Sequence, residues 1–253
     1  MRRIAAIVEY DGAGFAGWQS QNHSASVQDA VEAALSYIAA HRVATVCAGR
    51  TDSGVHAVAQ VVHFDTEAAR TPRAWVLGAN TKLPPTIALQ WAGEMDARFH
   101  ARHSALRRTY RYCILNRSAR SGLQRERAAW IHRPLDADAM HRAGQELLGE
   151  HDFSAFRSVE CQSPSTVRKL ERLEVRRDGD TLWVEITANA YLHHMVRNIV
   201  GTLIDVQRAP APPEAMRRIL ECRDRRLAGA TAPAGGLYLW HVEYPPVHGI
   251  PRL

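Results

Sequence analysis

The sequence predicts an α+β protein with a largely antiparallel sheet, and three observations carry this prediction. Segments with strand and helix patterns alternate irregularly along the 253 residues. Two strand-like segments meet at Asp178-Gly179, a dipeptide typical of hairpin turns. The strands also do not alternate one by one with helices, as they would in a doubly wound parallel fold.

The elements of the first half follow from the spacing of apolar residues. Apolar runs or alternation predict strands, and apolar residues three and four apart predict helices. Pro72 suits the first turn of a helix. In chain order we expect a strand over 3–10, an amphipathic helix over 26–40, strands over 43–47 and 58–64, a short helix over 72–80 and a strand over 87–95.

The second half begins with a basic and aromatic segment, 99–116, that starts irregularly and becomes a strand. Its further predicted elements are an exposed arginine-rich loop over 117–127, a helix over 136–148 ended by Gly149, a hairpin of strands 167–176 and 181–188, helices over 191–206 and 213–221, and a strand over 236–244. No Pro-, Gly- or Ser-rich linker separates the halves. We place the boundary near residue 105, which gives halves 1–105 and 106–253. Each has strands and a long amphipathic helix, as two related halves would, although no sequence repeat is detectable.

The positive charge of the chain bears on whether its partner is a nucleic acid. The net charge is +6, and every basic residue except Lys82 and Lys169 is an arginine. Arginine binds phosphate in a bidentate manner and stacks on bases, which favours an RNA partner. A compositional bias toward arginine and alanine would explain much of the same count, so the charge leaves both interpretations open.

Several other classes of protein are not expected. No apolar run approaches the roughly 20 residues that span a bilayer, and the N-terminal apolar run is interrupted at Glu9, too early for a signal peptide. We therefore expect a cytoplasmic protein. The four cysteines are widely spaced and form no CxxC pair, and no histidine spacing is typical of a metal site, so reduced thiols and no bound metal are expected.

A GxGxxG pattern, GAGFAG over residues 12–17, follows the first strand. A dinucleotide site requires a helix that opens within the glycines, but here helical periodicity starts only near Val27. The segment also carries Phe15 and Trp18. We therefore interpret it as a loop that contacts RNA and not as a cofactor site.

The loop AGRTDSGVHA (Ala48 to Ala57) joins two predicted strands and carries the candidate catalytic carboxylate, Asp52. Flanking glycines permit a sharp excursion of the chain, and the guanidinium of Arg50 would keep Asp52 ionised, as a nucleophilic carboxylate must be. On the residues alone, an aspartate that only bonds its own turn remains an open alternative.

This loop closely resembles the catalytic loop of the tRNA pseudouridine synthase A family, whose usual form is GRTDAGVHA. Other blocks of the chain are similar to that family's blocks in the same order: EYDGAGFAGWQSQ, SVQDAVEAAL, FHARHSALRRTYRY, DFSAFR, HHMVRNIVG and GLYLWHVEYP. The resemblance spans nearly the whole chain. It implies that Asp52 is the catalytic nucleophile.

The resemblance also implies an activity and an architecture. Enzymes of the family isomerise uridine to pseudouridine at positions 38–40 of the tRNA anticodon stem-loop, without a metal, nucleotide or redox cofactor. Their fold has two similar α/β halves that share a curved, mostly antiparallel mixed sheet, with helices on one side and a central cleft, and they act as homodimers. Whether Asp52 attacks the sugar or the base stays open.

Two further residues are assigned by the same resemblance, and Arg50 is assigned from its place near Asp52 in the loop. Tyr110 matches the tyrosine on which the flipped base stacks, although by spacing alone Tyr112 would serve as well, and either would also suit a strand core. Arg197 matches the family's helix arginine, expected beside His193 and able to pair with Asp52; a solvated helix arginine is the alternative. Arg50 is expected to bind substrate. Ser53 replaces the family's usual alanine, and Thr109 before Tyr110 is a second small departure.

Two other functions compete with this one. A module that binds RNA without catalysis would also use strands with basic and aromatic residues. A hydrolase acting on a glycosidic bond would need a second carboxylate as general acid, and only Asp11 and Asp152 in the matching blocks are candidates.

Overall fold

Ten β-strands and five α-helices make up the computed structural model, which describes all 253 residues. The strands are β1 (Arg2–Tyr10), β2 (Val46–Cys47), β3 (His56–Thr66), β4 (Ile87–Met95), β5 (Arg107–Asn116), β6 (Ala129–Ile131), β7 (Gly149–Asp152), β8 (Val167–Asp178), β9 (Thr181–Ala188) and β10 (Leu237–Glu243). The helices are α1 (Val27–Ala39), α2 (Pro72–Asn80), α3 (Ala137–Gln145), α4 (Met195–Val206) and α5 (Pro212–Cys222). Strand pairing is mixed and mostly antiparallel, so the predicted α+β class is confirmed.

The chain forms two compact units. The first unit comprises Met1–Leu106 and Tyr238–Leu253, and the second comprises Arg107–Leu237. The sequence analysis assigned the closing strand to the second half, whereas residues 238–253 belong to the first unit. The reason is the parallel pairing of β10 with β3, in which Tyr238 lies opposite His56, a long-range pairing that local periodicity does not report.

In the first unit the strand order is β4-β1-β3-β10. β1 pairs antiparallel with both β3 and β4. The other edge of β3 is shared, because β10 pairs with its first residues and the two residues of β2 pair with Val62 and His63. β2 and β3 thus form a hairpin whose long connection, residues 48–55, is the predicted catalytic loop.

Helix boundaries in this unit follow from side-chain caps. The hydroxyl of Ser26 accepts a hydrogen bond from the backbone N–H of Asp29, which starts α1 at Val27. α2 begins at Pro72 behind the cap Thr71 and keeps the predicted bounds. α2 packs on the sheet through the edge-to-face contact of Trp75 with Phe64, whose ring centroids are 5.1 Å apart.

In the second unit the strand order is β5-β9-β8-β7, all antiparallel, with β6 added parallel to β5. Tyr110, Ile186 and Leu173 lie opposite one another on β5, β9 and β8. Residues opposite one another share a face of the sheet. Leu173 packs against α3 at Gly144, so α3 covers this face at β8.

In the second unit two predicted helix boundaries differ from the structure, and two short strands were not predicted. The helix expected over 191–206 begins only at Met195, because His194 adopts a left-handed conformation with φ of 61°. The helix expected to end near Leu148 already ends at Gln145. The short strands β6 and β7 were not predicted, since three or four residues carry too little periodicity. None of the helices combines the length and apolar character that a membrane span requires.

Candidate active site

The loop of residues 48–55 leaves β2 after Cys47 and enters β3 at His56. Within it, Asp52 is half-buried, the preceding Thr51 is buried, and Arg50 is exposed. The backbone N–H of Val55 donates to the carbonyl of Asp52 at 3.1 Å, which closes a turn directly after the carboxylate. The loop therefore presents one partly accessible carboxylate beside an exposed guanidinium.

The segment before Asp52 is held by buried polar side chains. The amide of Gln60 donates to the carbonyl of Gly49 at 2.6 Å and accepts from its N–H at 3.4 Å. The hydroxyls of Tyr10 and Thr51 are 2.8 Å apart in a buried hydrogen bond. These contacts tie the loop to β3 and β1.

The glycine-rich segment 12–17 holds the other side of the loop. The N–H of Trp18 donates to the carbonyl of Thr51 at 3.0 Å, and the N–H of Gly54 donates to the carbonyl of Phe15 at 3.3 Å. Gly17 has φ of 95°, and a Cβ built there would lie 2.7 Å from the Thr51 carbonyl oxygen. Only glycine allows this conformation and this approach without strain.

This arrangement corrects the interpretation of Trp18 as an RNA contact. Its side chain is 1% exposed and lies 5.9 Å from the ring of Tyr10, centroid to centroid. The side chain of Trp18 is part of the core, and the GAGFAG segment supports the loop of Asp52 through backbone hydrogen bonds. The helix that follows begins only at Val27, as the periodicity predicted.

The start of β3 is anchored by a histidine. His56 is buried, and its Nδ1 accepts a hydrogen bond from the N–H of Gly12 at 3.0 Å and lies 3.1 Å from Asp11 Oδ1. Its ring stacks on Tyr238 of β10 with centroids 4.7 Å apart. Asp11 also caps the turn at residues 12–14. This carboxylate is therefore committed to structure and is poorly suited to the role of general acid.

Asp152, the other acid considered for a hydrolase, is also bonded locally. Its Oδ1 accepts from the N–H and the hydroxyl of Ser154. Burial alone would raise the pKa of Asp152, but hydrogen bonds from Ser154 and Thr166 outweigh it and the pKa lies below its ordinary value. A general acid at neutral pH needs the opposite shift.

Cys47 directly precedes the loop, and its thiol is a poor nucleophile. Burial raises the pKa of Cys47 to about 11, in spite of the opposing positive charges of Arg50 and Arg102. Only the thiolate is strongly nucleophilic, so the thiol is inert at neutral pH. The Cys47 thiol therefore does not compete with Asp52, the candidate nucleophile in this loop.

The second unit separates the two tyrosines that spacing alone could not distinguish. Tyr112 is 0% exposed, and its hydroxyl donates to the carbonyl of Pro233 at 2.7 Å. Tyr110 is 9% exposed and meets Tyr191 edge to face, with centroids 4.9 Å apart. The hydroxyl oxygen of Tyr191 lies 2.9 Å from the carbonyl oxygen of Arg108 and 2.8 Å from that of Ile186, and its single proton can bond either of them. Both tyrosines are buried, and Tyr110 differs in keeping the larger exposed fraction and in packing against Tyr191.

Arg197 lies in the first turn of α4 and is half-buried. Its Nε donates to the carbonyl of Ala232 at 2.8 Å, and the N–H of Ala232 donates back to the carbonyl of Arg197 at 3.1 Å. The alternative of a solvated helix arginine is therefore wrong. His193 had been expected on this helix, but it lies before the first residue of α4.

Sequence reasoning overlooked the supporting residues Tyr10 and Gln60. Gln60 is fully buried in β3 among apolar residues, a position where a polar side chain must find partners. A glutamine within an otherwise apolar run was the available signal. Its partners lie 11 and 50 residues away, so the pattern alone did not identify them.

The chain is similar to known proteins over nearly its whole length. A family model described as tRNA pseudouridine synthase matches residues 6–104 and 143–245. The chain is 52% identical over 251 residues to tRNA pseudouridine synthase A of Aeromonas hydrophila subsp. hydrophila, covering 99% of this chain and 93% of that protein. It is 51% identical to the protein of that name from Vibrio campbellii (99% and 95% covered) and 49% identical to the one from Thiobacillus denitrificans (100% and 97% covered).

Proposed function

The chain belongs to the tRNA pseudouridine synthase family, and on that premise we propose that Asp52 is the catalytic nucleophile of uridine isomerisation in tRNA. The isomerase activity itself follows from the family. The observation that carries the assignment to Asp52 is a half-buried carboxylate in a loop whose backbone is hydrogen-bonded on both sides. A preorganised nucleophile needs this combination of access and fixed position.

The atom balance of the reaction defines what the residues must do. The N1–C1′ bond of uridine breaks, the uracil turns over, a C5–C1′ bond forms, the proton on C5 is lost, and N1 gains a proton. No net oxidation or group transfer occurs, so the proposed reaction requires no redox cofactor. The ionised carboxylate of Asp52 adds to the substrate and is released unchanged. The proposal leaves open whether it attacks the sugar or the base.

Three side chains are proposed to bind the substrate. The target base must leave its stack, which costs a few kcal/mol, and stacking on Tyr110 would return about 1–3 kcal/mol. The contact of Tyr110 with the anchored Tyr191 supports this role, because it holds the ring in place before the base arrives. Arg50, which is exposed, and Arg197 are proposed to contact the RNA as charged hydrogen-bond donors.

The proposal also includes the positions modified in tRNA, the oligomeric state and the cellular location. The resemblance of the sequence blocks supports uridines 38–40 of the anticodon stem-loop as the modified positions. It equally supports a homodimer acting in the cytoplasm. Mapping pseudouridine in tRNAs that carry a single uridine at 38, 39 or 40 tests the first point, and sedimentation at several concentrations tests the oligomeric state.

Tritium release from tRNA labelled at uridine C5 tests the assignment of Asp52. We expect Asp52→Asn to abolish release while tRNA binding stays within a few-fold, because the amide keeps the shape of the carboxylate but is not a nucleophile. Asp178→Asn, at an exposed turn between β8 and β9, is the matched control and should retain full activity. Retained turnover by Asp52→Asn would exclude the proposed role, and release of free uracil would indicate hydrolysis.

A further inference from the structure

The fully buried side-chain amide of Gln60 takes the place of a backbone hydrogen-bonded pair at the start of the loop that carries Asp52. The ladder between β2 and β3 pairs Cys47 with Val62 and continues with a hydrogen bond from the N–H of Ala48 to the carbonyl of Val61. At the next position the chain diverges, and the side chain of Gln60 bonds both the N–H and the carbonyl of Gly49. Gln60 thus holds the backbone at the point where the loop begins.

The same amide is linked to the residue before Asp52. The Nε2 of Gln60 also lies 3.5 Å from the hydroxyl oxygen of Tyr10, which is 2.8 Å from the hydroxyl of Thr51. The Gln60 amide donates to the Tyr10 oxygen, and in the bond between Tyr10 and Thr51 either hydroxyl can be the donor. All three side chains are buried, so water does not compete for these bonds.

We propose that Tyr10 and Gln60 are positioning residues, which set the place of the Asp52 carboxylate by fixing Gly49 and Thr51 on its N-terminal side. This inference rests on the proposed function of Asp52. Neither side chain touches the reacting atoms in this role. The chain of hydrogen bonds runs from β3 through β1 to the residue adjacent to Asp52. Because β1 and β3 are held in the sheet, these bonds restrict the movement of the loop.

The physical consequence is a separation between binding and turnover. Nucleophilic attack depends steeply on geometry, and a displacement of about 1 Å costs on the order of 100-fold in rate. Binding of a tRNA depends on many contacts spread over a large surface. Loosening this clamp should therefore lower kcat and leave KM for tRNA nearly unchanged, whereas a general loss of folded protein would leave the kcat of the remaining folded fraction intact.

Tyr10→Phe is the primary test, with Tyr244→Phe as its matched control. Both tyrosines are buried in the first unit, and the hydroxyl of Tyr244 donates to the carbonyl of Ala101 at 2.5 Å. Each variant loses one buried hydroxyl and keeps the ring. We expect a similar fall in melting temperature for both, with kcat lowered about 10- to 100-fold only in Tyr10→Phe and KM within about threefold.

A second pair of variants tests the far end of the clamp. Thr51→Val removes the hydroxyl that bonds Tyr10 and keeps the side-chain shape, whereas Thr51→Ser keeps the hydroxyl. We expect the kcat of Thr51→Val to fall as in Tyr10→Phe, and the kcat of Thr51→Ser to stay within a few-fold of the wild-type value. Rescue by serine would identify the hydroxyl, and not the bulk of the side chain, as the cause.

The outcomes separate this inference from the proposed function. If Asp52→Asn is inactive while Tyr10→Phe matches Tyr244→Phe in kcat, the positioning role is refuted and the nucleophile stands. Equal kcat values for Thr51→Val and Thr51→Ser would also refute it. Turnover by Asp52→Asn would overturn both the function and the inference that depends on it.

Discussion

Gly17→Ala is predicted to damage both stability and catalysis, because Gly17 combines an unusual backbone conformation with a close contact. Its φ is 95°, which L-residues rarely adopt. A Cβ there would lie 2.7 Å from the carbonyl oxygen of Thr51 and 3.0 Å from the carbonyl carbon of Asp52. Both neighbours are backbone atoms of the loop that carries Asp52, so relief of the contact requires that the loop itself move.

The expected magnitude has two parts. A left-handed conformation costs a residue with a Cβ about 1–2 kcal/mol, and overpacking against fixed atoms costs about 1–3 kcal/mol more. The free energy of unfolding should therefore fall by about 2–5 kcal/mol. A loop displaced by a few tenths of an ångström to 1 Å should lower kcat by about 10- to 100-fold.

Two other glycines separate these contributions. Gly179 has φ of 54° with nothing near its Cβ position, so Gly179→Ala has only the backbone cost. Gly14, in the same segment as Gly17, has neither feature, and Gly14→Ala should be nearly neutral. Urea unfolding and single-turnover tritium release measure the two effects. If Gly17→Ala equals Gly179→Ala in stability and retains wild-type kcat, the contact with the loop of Asp52 has no consequence and this prediction is refuted.

Two further predictions concern pH and packing. Burial lowers the pKa of His63 to about 4 from an ordinary 6.5, so the unfolded state binds a proton first and the free energy of unfolding falls as the pH drops below about 6.5. Between pH 7.5 and 5 the free energy of unfolding of the wild type, measured in urea, should fall by about 2 kcal/mol more than that of His63→Asn. Equal losses for the two proteins would contradict this prediction. Gly201→Ala would place a Cβ 1.7 Å from the carbonyl oxygen of Ala230, displacing the segment that holds Arg197 and lowering stability by about 2 kcal/mol or more. Gly122→Ala, with open space around it, is the control, and an unchanged melting temperature for Gly201→Ala would be the contrary result.

Local signals in the sequence were sufficient for many elements. α2 and β4 have their predicted bounds because Pro72 and its cap Thr71 start the helix and because β4 is long enough to show alternation. Long periodic segments bury one face whatever their partners are, so their type can be inferred without the fold. β6 and β7 have three and four residues, and they exist as strands only because a longer neighbour supplies their hydrogen bonds.

Contacts between distant residues were beyond the reach of such signals. Trp18 in a glycine-rich segment resembled an exposed RNA contact, but its burial depends on residues brought together by folding. His194 in a left-handed conformation delays the start of α4, and nothing in the periodicity of 191–206 indicates this. Gln60 and His63 looked like the polar positions of an alternating strand, yet both are buried because β3 is covered on both sides.

By itself the sequence determined the α+β class, the family and the loop that carries Asp52, since these depend on local order and on motifs that stay intact along the chain. Only the tertiary structure decided what supports that loop. Gln60, Tyr10 and Gly17 act on it through hydrogen bonds and close backbone contacts from other segments of the chain. Such contacts depend on distances of a few tenths of an ångström, which the fold creates and which no spacing of residues encodes.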